Sequence, residues 1–524
     1  MLDEYVVKNK CINFAANMRT ITQTTTLCAL IMSIATIGRC AAQALPDTTF
    51  LSAADIEYVI ERHDTITSPN VASYDDLYDT TNGTLTFRGS SRRDMPQTGR
   101  LVCHPTTIET EWVFTTAYDS RQTSTGVWGG GSGWTGQPLY IEWPDSLVAL
   151  QRETSPSLTA DFSAREIIVG SLSGDVYFID FETGKASREA YNTGNPIKGT
   201  VSLDPRLNGN LYIGQGIPAT EPIGADVFNL FDHRRVSFFG RDAKSWRRWS
   251  AYDASAVVVD DFVMRPSENG TIYKFTADEQ GATLHTAMRY RRRGMSAPGM
   301  EASPAVWRNY IYVTDNSGMV MCVNINTMKP VWTFRNSDDT DASPMLVVED
   351  DGPMLYVGSE LDKQGTNGFC YLTKLNALTG EKVWQNRIAC HKFEYAEKLR
   401  EGGMFSTPLV GRGNAKGLIF TNICGMGDHK GTFVALDAQS GKVVYTTKLD
   451  YYSWSSPVAL LTDDDAMYVF TGDVIGNIYL IDAQSGKIIF KQRVAWNFES
   501  SPVVVDDCVV VGSRGNKIYK FKIM

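Results

Sequence analysis

The chain has 524 residues, of which 43% are apolar and 21% are charged, a composition typical of globular proteins. It contains 44 glycines and 11% aromatic residues, which favour many short strands joined by tight turns. The formal net charge is −9 at pH 7. Nucleic acid and anionic membranes are therefore poor candidates for its main partner.

The N-terminal residues 1–44 have the features of a signal peptide. Leu27–Gly38 is an apolar run with Arg19 before it, and Ala42-Gln43-Ala44 supplies small residues for cleavage. The run is shorter than the roughly 20 apolar residues that a membrane helix requires. We therefore predict export to the periplasm, the outer membrane or the outside of the cell, with no transmembrane span.

Two details of this segment leave alternatives open. Met18 would be a more ordinary start, so residues 1–17 could be a start-site artefact. Cys40 could accept a lipid, although Arg39 before it is large and charged where such sites prefer a small residue. Soluble export and lipid anchoring both remain alternatives.

Residues 45–108 are predicted to form a helix and a linker ahead of the main domain. Leu51–His63 begins with Ser52 as a plausible cap, and its apolar residues fit one face of an amphipathic helix. The stretch that follows, to Gly83, is polar and rich in turn-forming residues. Such a composition is typical of a tether.

Two later segments interrupt the regular part of the chain. Val127–Gly136 is rich in glycine but neither opens a helix nor ends in Gly-Lys-Ser, so it predicts a flexible loop rather than a phosphate-binding loop. His391–Gly403 has Phe393, Ala396 and Leu399 at helical spacing. It predicts a helix over one face of the domain.

One structural unit is repeated along the rest of the chain. Gly476–Lys487 (GNIYLIDAQSGK) nearly copies the earlier Gly431–Lys442 (GTFVALDAQSGK). Each copy has a Ser-Pro-like entry and four short apolar segments separated by acidic or Gly-Lys turns, which predicts four strands. Eight entries are recognisable: Gly136-Gln137-Pro138, Lys198-Gly199-Thr200, Ala254-Ser255-Ala256, Ala302-Ser303-Pro304, Ala342-Ser343-Pro344, Ser406-Thr407-Pro408, Ser455-Ser456-Pro457 and Ser500-Ser501-Pro502.

The pattern within the strands predicts how the units pack. Val503-Val504-Val505 and Val509-Val510-Val511 are apolar on both faces, so each sheet must be covered on both sides. Blades arranged around an axis provide that environment. The last copy ends after three strands, and Glu109–Thr116 (ETEWVFTT) resembles the missing fourth. We therefore predict an all-β fold over residues 109–524, an eight-bladed β-propeller of four-stranded blades whose C-terminal blade is completed by an N-terminal strand.

The repeats resemble those of β-propellers of the pyrroloquinoline-quinone (PQQ) type. The likeness rests on SSPVVVDDCVVVGSRGNKIYKF, LDAQSGK, IDAQSGK, LNALTGEKVW and INTMKPVW, and it covers residues 85–524. Leu85–Gly99 (LTFRGSSRRDMPQTG) is similar to an arginine-glycine segment often found before the first blade. One branch of this family comprises quinoprotein dehydrogenases, which hold the quinone and a calcium ion at the ring centre. The other comprises propellers without a cofactor, such as the scaffold subunit of the outer-membrane β-barrel assembly machine.

The sequence lacks the features of the dehydrogenase branch. It has no pair of adjacent cysteines, which those enzymes stack on the quinone, and no Cys-x-x-Cys-His for a covalent haem. Its six histidines show no spacing typical of zinc, and there is no Gly-x-Ser-x-Gly elbow. The resemblance therefore implies the scaffold branch, with no catalytic residue, metal or cofactor predicted. A divergent oxidoreductase that uses PQQ with calcium is the alternative.

A candidate ligand site follows from the aligned entries, because the residue two places before the entry Ser or Thr should lie near the mouth of the central channel. In chain order these residues are Thr135, Ile197, Asp253, Glu301, Asp341, Phe405, Trp454 and Glu499. Carboxylates from three consecutive blades could bind a cation, an amine or sugar hydroxyls, and the aromatic side chains could pack against a ring. Acids that only accept from turn amides, and aromatic residues that only fill the channel, are the alternative.

Six cysteines follow the predicted signal peptide, and an even number in an exported chain permits disulfides. Cys370 with Cys390 is the favoured pair, because adjacent strands would bring these two residues close. Together the features of the sequence predict an exported, non-catalytic propeller that binds an envelope protein or glycan as a scaffold or receptor.

Overall fold

The computed structural model describes residues 50–51, 55–63, 73–95, 97–134, 136–155 and 157–524. The predicted signal peptide, residues 1–44, lies outside this described part of the chain. None of the helices within it has the length and hydropathy of a membrane span.

Eight sheets form the blades of a β-propeller, as predicted. We number the blades in chain order, and give their strands from the innermost outward. Blade 1 comprises Leu139–Glu142, Arg165–Gly170, Asp175–Asp180 and Tyr191–Asn192; blade 2 Ser202–Leu203, Asn210–Gly214, Ala225–Asn229 and Arg234–Phe239; blade 3 Val257–Val259, Phe262–Ser267, Thr271–Ala277 and Ala282–Arg292; blade 4 Ala305–Trp307, Tyr310–Thr314, Met319–Asn324 and Pro330–Arg335.

The last four blades have the same plan. Blade 5 comprises Met345–Glu349, Gly352–Gly358, Asn367–Asn376 and Lys382–His391; blade 6 Leu409–Val410, Leu418–Cys424, Gly431–Asp437 and Val443–Leu449; blade 7 Val458–Thr462, Met467–Gly472, Asn477–Asp482 and Ile488–Arg493; blade 8 Val503–Val505, Cys508–Ser513, Lys517–Ile523 and Ile108–Thr115. The innermost strands of seven blades begin directly after their predicted entries, and that of blade 2 begins one residue later.

Shorter elements lie outside this plan. The α-helix Asp145–Thr154 joins the first two strands of blade 1, and the 3-10 helices are Leu77–Thr80 and Gly413–Ala415. The remaining strands are Phe50–Leu51, Ile56–Arg62, Gly83–Thr84, Gly99–Leu101, Tyr118–Thr123, Gly126–Gly130, Glu360–Leu361, Phe393–Tyr395, Lys398–Arg400 and Gly402–Gly403.

The ring closes as the sequence predicts. Ile108–Thr115 pairs antiparallel with the last strand, Lys517–Ile523, and supplies the outermost strand of blade 8. The indole of Trp112 then reaches blade 1, where its Nε1 donates a hydrogen bond to the carbonyl of Phe181 at 2.9 Å. The two ends of the propeller are therefore held in one sheet, which leaves no open edge between blades 8 and 1.

Blade packing explains why the strands do not alternate between apolar and polar residues. Val503 packs in a cluster with Ile167 and Val169 of blade 1. The next residue, Val504, packs with Val458 of blade 7. Successive side chains point to opposite faces of a strand, and both faces are covered by a neighbouring blade. Each apolar strand therefore contributes to two cores.

The Ser and Thr residues of the entries form a relay around the axis. In each step the backbone N–H of one entry residue donates to the side-chain hydroxyl of the next blade. The steps are Ser255 to Ser303 (2.9 Å), Ser303 to Ser343 (2.9 Å), Ser343 to Thr407 (3.1 Å), Thr407 to Ser456 (3.0 Å), Ser456 to Ser501 (3.0 Å) and Gln137 to Thr200 (2.8 Å). A buried N–H needs an acceptor, so the relay accounts for the hydroxyl residue in this motif.

Leu85–Gly99 closes one end of the channel, and we call it the plug. Arg88 and Arg93 are fully buried, and both have positive φ. Arg88 donates to the carbonyls of Pro457 (2.7 Å) and Pro408 (3.0 Å), while Arg93 donates to the carbonyl of Pro304 (2.7 Å). The plug thus binds the proline carbonyls that the entries present toward the axis, on the face opposite the channel mouth.

The predicted helix and linker over residues 45–108 are wrong where the structure describes them. Ile56–Arg62, within the predicted helix Leu51–His63, is a strand that pairs with Ala282–Arg292 at the outer edge of blade 3. Charged pairs across the two strands stabilise this arrangement, including Arg291 to Glu57 at 2.7 Å. Of the stretch predicted as a tether, the structure describes residues 73–83, which contain the 3-10 helix Leu77–Thr80 and enter a strand on blade 1 at Gly83.

The favoured disulfide does not form in the structure. Cys370 and Cys390 are free thiols, as are the other cysteines of the described residues. Cys370 lies opposite Ile388, so Cys390 is its diagonal neighbour on the adjacent strand. A hydrogen bond with the Cys390 thiol, together with burial, raises the pKa of Cys370 well above its ordinary value.

Candidate ligand site at the channel mouth

The structure places the predicted site residues on one face of the ring. Asp253, Glu301 and Asp341 come two residues before the relay residues of blades 3 to 5, and Phe405, Trp454 and Glu499 come two before those of blades 6 to 8. The segments that lead into the innermost strands lie at this face, and we call it the mouth. Thr135 lies outside the described residues.

The prediction for blade 2 is wrong by one residue. Thr200, not Gly199, takes the relay position, so Lys198 occupies the place predicted for Ile197. Ile197 is buried in the hydrophobic core. The error arose because the blade 2 entry, Lys198-Gly199-Thr200, has no proline to fix its alignment. A cation therefore precedes the three carboxylates around the mouth.

A first group of carboxyls joins blades 3 and 4. Asp253, Glu268 and Glu301 each place an oxygen within 4.8 Å of the others. Glu268 follows the second strand of blade 3 and is 3% exposed. The ammonium of Lys198 contacts Asp253 directly and lies 3.7 Å from Glu301. This lysine already provides one cation for the group.

A second group lies one blade further on. Asp339, Asp341 and Glu360 also have carboxyl oxygens within 4.8 Å of one another. Glu360 is 3% exposed, and its Oε1 accepts the backbone N–H of Asp341 at 3.1 Å. Lys363 is 3.2 Å from Asp339 on the solvent side. The two groups interact electrostatically through Glu301, so we treat them as one feature.

We call this feature the acid arc. It consists of Asp253, Glu268, Glu301, Asp339, Asp341 and Glu360. The cations that act on it within the described part of the chain are Lys198, Arg247, Arg265 and Lys363. Six carboxyls thus face four cations, so the arc is short of positive charge at neutral pH.

The arc retains protons for that reason. Burial, then repulsion from Glu301, raises the pKa of Glu268 well above its ordinary value. Burial and the neighbouring Asp341 do the same to the pKa of Glu360. Burial raises the pKa of Asp339 to about 6, although Lys363 opposes the shift. Buried carboxyls that cannot all ionise are the ordinary result of crowding like charges.

An aromatic cluster faces the arc across the mouth. Phe405 and Trp454 have ring centroids 5.1 Å apart, and Trp134 contacts both at 6.4 and 5.9 Å. Tyr452 packs against Trp454 at 5.4 Å. We call these four residues the aromatic wall. Phe405 and Trp454, the predicted aromatic residues of the site, therefore contact each other within a larger cluster.

The glycine-rich stretch Val127–Gly136 brings Trp134 to the wall. Gly131 has a φ of +71°, and a Cβ there would lie 1.6 Å from the Ser513 carbonyl. Only glycine allows the chain to pass so close to blade 8. The Lys198 ammonium lies 5.2 Å from the centre of the Trp134 ring. Trp134 therefore connects the acid arc to the aromatic wall.

Glu499 lies beside the wall rather than in the arc. Its side chain is buried, accepts from Asn497 at 3.3 Å and pairs with Arg514 at 3.5 Å.

The predicted helix over His391–Gly403 is wrong, because this segment forms the hairpin Phe393–Tyr395 and Lys398–Arg400. The hairpin packs its aromatic side chains against Tyr452, at 5.1 and 5.5 Å.

Sequence reasoning missed half of the arc. Glu268 and Glu360 follow the second strands of blades 3 and 5, each directly after a Ser: Ser267-Glu268 and Ser359-Glu360. A Ser-Glu pair at the same place in two blades was a detectable signal. Asp339 lies in an irregular segment before the blade 5 entry, where no repeat position could identify it.

Comparison with known proteins agrees with this architecture. A family model described as outer membrane protein assembly factor BamB matches residues 268–396 and 429–523. The chain resembles β-propellers with PQQ-type repeats. No curated protein sequence matches it.

Solved structures share the fold at low sequence identity. A europium-containing methanol dehydrogenase is 12% identical, with a TM-score of 0.57 over 85% of this chain and 99% of that chain. A quinohemoprotein alcohol dehydrogenase from Pseudomonas putida HK5 is 12% identical, with a TM-score of 0.59 over 86% of this chain and 82% of that chain. BamB from Moraxella catarrhalis is 18% identical, with a TM-score of 0.47 over 70% and 95%. The likeness to the two dehydrogenases concerns the fold alone.

Proposed function

We propose that this protein is an exported, non-catalytic propeller that binds an envelope protein or glycan at the channel mouth and acts as a scaffold or receptor. The observation that carries the proposal is the asymmetry of the ring. The plug fills one end of the channel, while the acid arc and the aromatic wall meet at the other. Binding sites of this kind combine an apolar surface with a few well-placed polar groups.

The match to an assembly-factor model over residues 268–396 and 429–523 supports a scaffold in the envelope. The repeats of those blades are the most regular in the chain, and the matched residues include every member of the arc except Asp253. Export agrees with the apolar run Leu27–Gly38 and with the acidic net charge of −9.

The residues at the mouth fit the free quinone poorly. PQQ carries several carboxylates, and here it would meet a six-carboxyl arc with four cations nearby. The adjacent cysteines that stack on the quinone in dehydrogenases are absent from the sequence. We therefore expect no heat of binding when the protein is titrated with PQQ and calcium.

Photo-crosslinking in cells tests the proposed face. A benzophenone amino acid at Trp496, which is 65% exposed beside the mouth, is expected to give a discrete adduct in the cell envelope. The matched control is Leu378, which is 45% exposed on a turn between outer strands at the opposite face. Adducts from Leu378 but not from Trp496 would show that the partner binds elsewhere.

A further inference from the structure

Five buried polar atoms of the acid arc and the aromatic wall have no hydrogen-bond partner among the described residues. Two are carboxyl oxygens, Asp253 Oδ1 and Glu268 Oε1, although the other oxygen of Glu268 accepts from Trp249 Nε1 at 2.8 Å. The other three belong to the aromatic wall: Trp134 Nε1, Trp454 Nε1 and the hydroxyl of Tyr452. Glu268 and Tyr452 are 3% and 0% exposed.

Unpartnered buried polar groups are costly, so a native site that keeps several of them side by side points to a ligand that satisfies them. The acid arc requires donors, because its carboxyls outnumber the neighbouring cations. The wall requires acceptors for its two indole N–H groups. A metal ion or an aliphatic polyamine would satisfy the arc but offers nothing to the wall.

The arrangement of the aromatic side chains narrows the choice of ligand further. Trp454 and Trp134 are only partly buried and offer flat apolar faces, and Trp134 lies next to Lys198. A pyranose ring packs its C–H face on such a surface, while its hydroxyls both donate and accept. An ammonium on the ring would add the positive charge that the arc lacks.

We infer that the mouth binds a protonated amino sugar, the free hexosamine unit of a glycan. Its ammonium lies among Glu268, Glu301 and the second carboxyl group, and its ring packs on Trp454 and Trp134. This inference rests on the proposed function, since it names the chemistry of the ligand for the same face. Binding also displaces protons from the arc, because a cation lowers the pKa of neighbouring carboxyls.

Calorimetry of the mature protein with a glucosamine tetramer tests the inference. The fully N-acetylated tetramer is the matched ligand control, since it keeps the rings and loses the charge. We expect the glucosamine tetramer to bind at least about tenfold more tightly. Binding should release protons, seen as a heat that depends on the ionisation enthalpy of the buffer. Spermidine, which has the charge without the ring, should bind at least about tenfold more weakly.

Variants assign the two halves of the site. Glu301→Gln is expected to weaken the binding of the glucosamine tetramer about tenfold and to leave the binding of the N-acetylated tetramer unchanged. Trp454→Leu should weaken the binding of both tetramers. Glu381 is exposed on the opposite face, so Glu381→Gln should weaken the binding of neither. No binding of the glucosamine tetramer, equal binding of the N-acetylated tetramer, or equal binding of spermidine would each overturn the inference. Adducts at Trp496 would still support the proposed function in that case.

Discussion

Replacing Arg88 with alanine is expected to lower the free energy of unfolding by about 3 to 5 kcal/mol. Burial lowers the pKa of Arg88 to about 9, so the guanidinium still carries its charge at neutral pH. It donates to the carbonyls of Pro457 and Pro408 near the axis. Alanine would remove both charge-assisted hydrogen bonds and leave a cavity in the middle of the plug.

Urea unfolding of the mature protein measures this loss. Arg234→Ala is the control, because Arg234 is half exposed, and both its ion pair with Asp232 at 3.7 Å and its hydrogen bond to the Glu279 carbonyl at 2.7 Å lie at the surface. Surface ion pairs of this kind contribute about 0 to 1 kcal/mol. An Arg88→Ala protein as stable as the Arg234→Ala protein would show that the plug does not hold the blades together.

Ile518→Asp is expected to destabilise the protein by about 4 kcal/mol or more, because an unpaired carboxylate would be buried between blades 8 and 1. Ile518 is 0% exposed and packs with Ile167, Val169 and Ile179. It lies opposite Phe114 on the closing strand. Only a closed ring buries this position.

Graded substitutions keep this test informative if the Asp variant does not fold. Ile518→Val should cost about 1 kcal/mol, and Ile518→Ala about 2 to 5 kcal/mol. Thermal unfolding of the three variants ranks their stabilities. If Asp at position 518 is tolerated as well as Val, the last strand lies at an open edge and the ring does not close as described.

The repeats made the fold predictable because they encode local chemistry. Asp506 has a positive φ of 53° in the turn between the first two strands of blade 8, and Gly441 and Gly486 have positive φ between the third and fourth strands of blades 6 and 7. Such turns need particular residues wherever they occur. Closure followed from counting strands, because a ring with a missing outermost strand needs one from elsewhere in the chain.

The errors occurred where a distant partner decides the local structure. Ile56–Arg62 has helical spacing, yet it forms a strand because the edge of blade 3 offers Ala282–Arg292 as a partner. His391–Gly403 forms a hairpin whose aromatic side chains pack on Tyr452. Sequence periodicity carries no information about either partner. Local propensity is a weak guide where tertiary pairing is available.

The positions of the predicted site residues could be derived from the sequence where the repeat set the register, but not elsewhere. Asp253, Glu301 and Asp341 follow from the entries, whereas Asp339 lies in a blade connection of its own length. Trp134 was missed because its glycine-rich surroundings indicate only flexibility. Its place at the mouth depends on contacts with Phe405 and Trp454 from blades more than 250 residues away, as the sequence positions show.

The central claim is that the mouth gathers carboxyls that lack cations, and the pH dependence of stability of a Glu360→Gln variant tests it most directly. The pKa of Glu360 lies above its ordinary value, so ionisation destabilises the folded protein as the pH rises from the unfolded value of 4.5 through the folded one. Glutamine keeps the acceptor for Asp341 and removes the charge.

Urea unfolding at about pH 8 should show the Glu360→Gln protein more stable than the wild type by on the order of 1 kcal/mol or more, with the difference shrinking toward zero near about pH 4.5. The exposed Glu381→Gln should show no such difference at either pH. A Glu360→Gln protein less stable than the wild type at both pH values would mean that the Glu360 carboxylate is satisfied in the fold, and the account of the mouth would be contradicted.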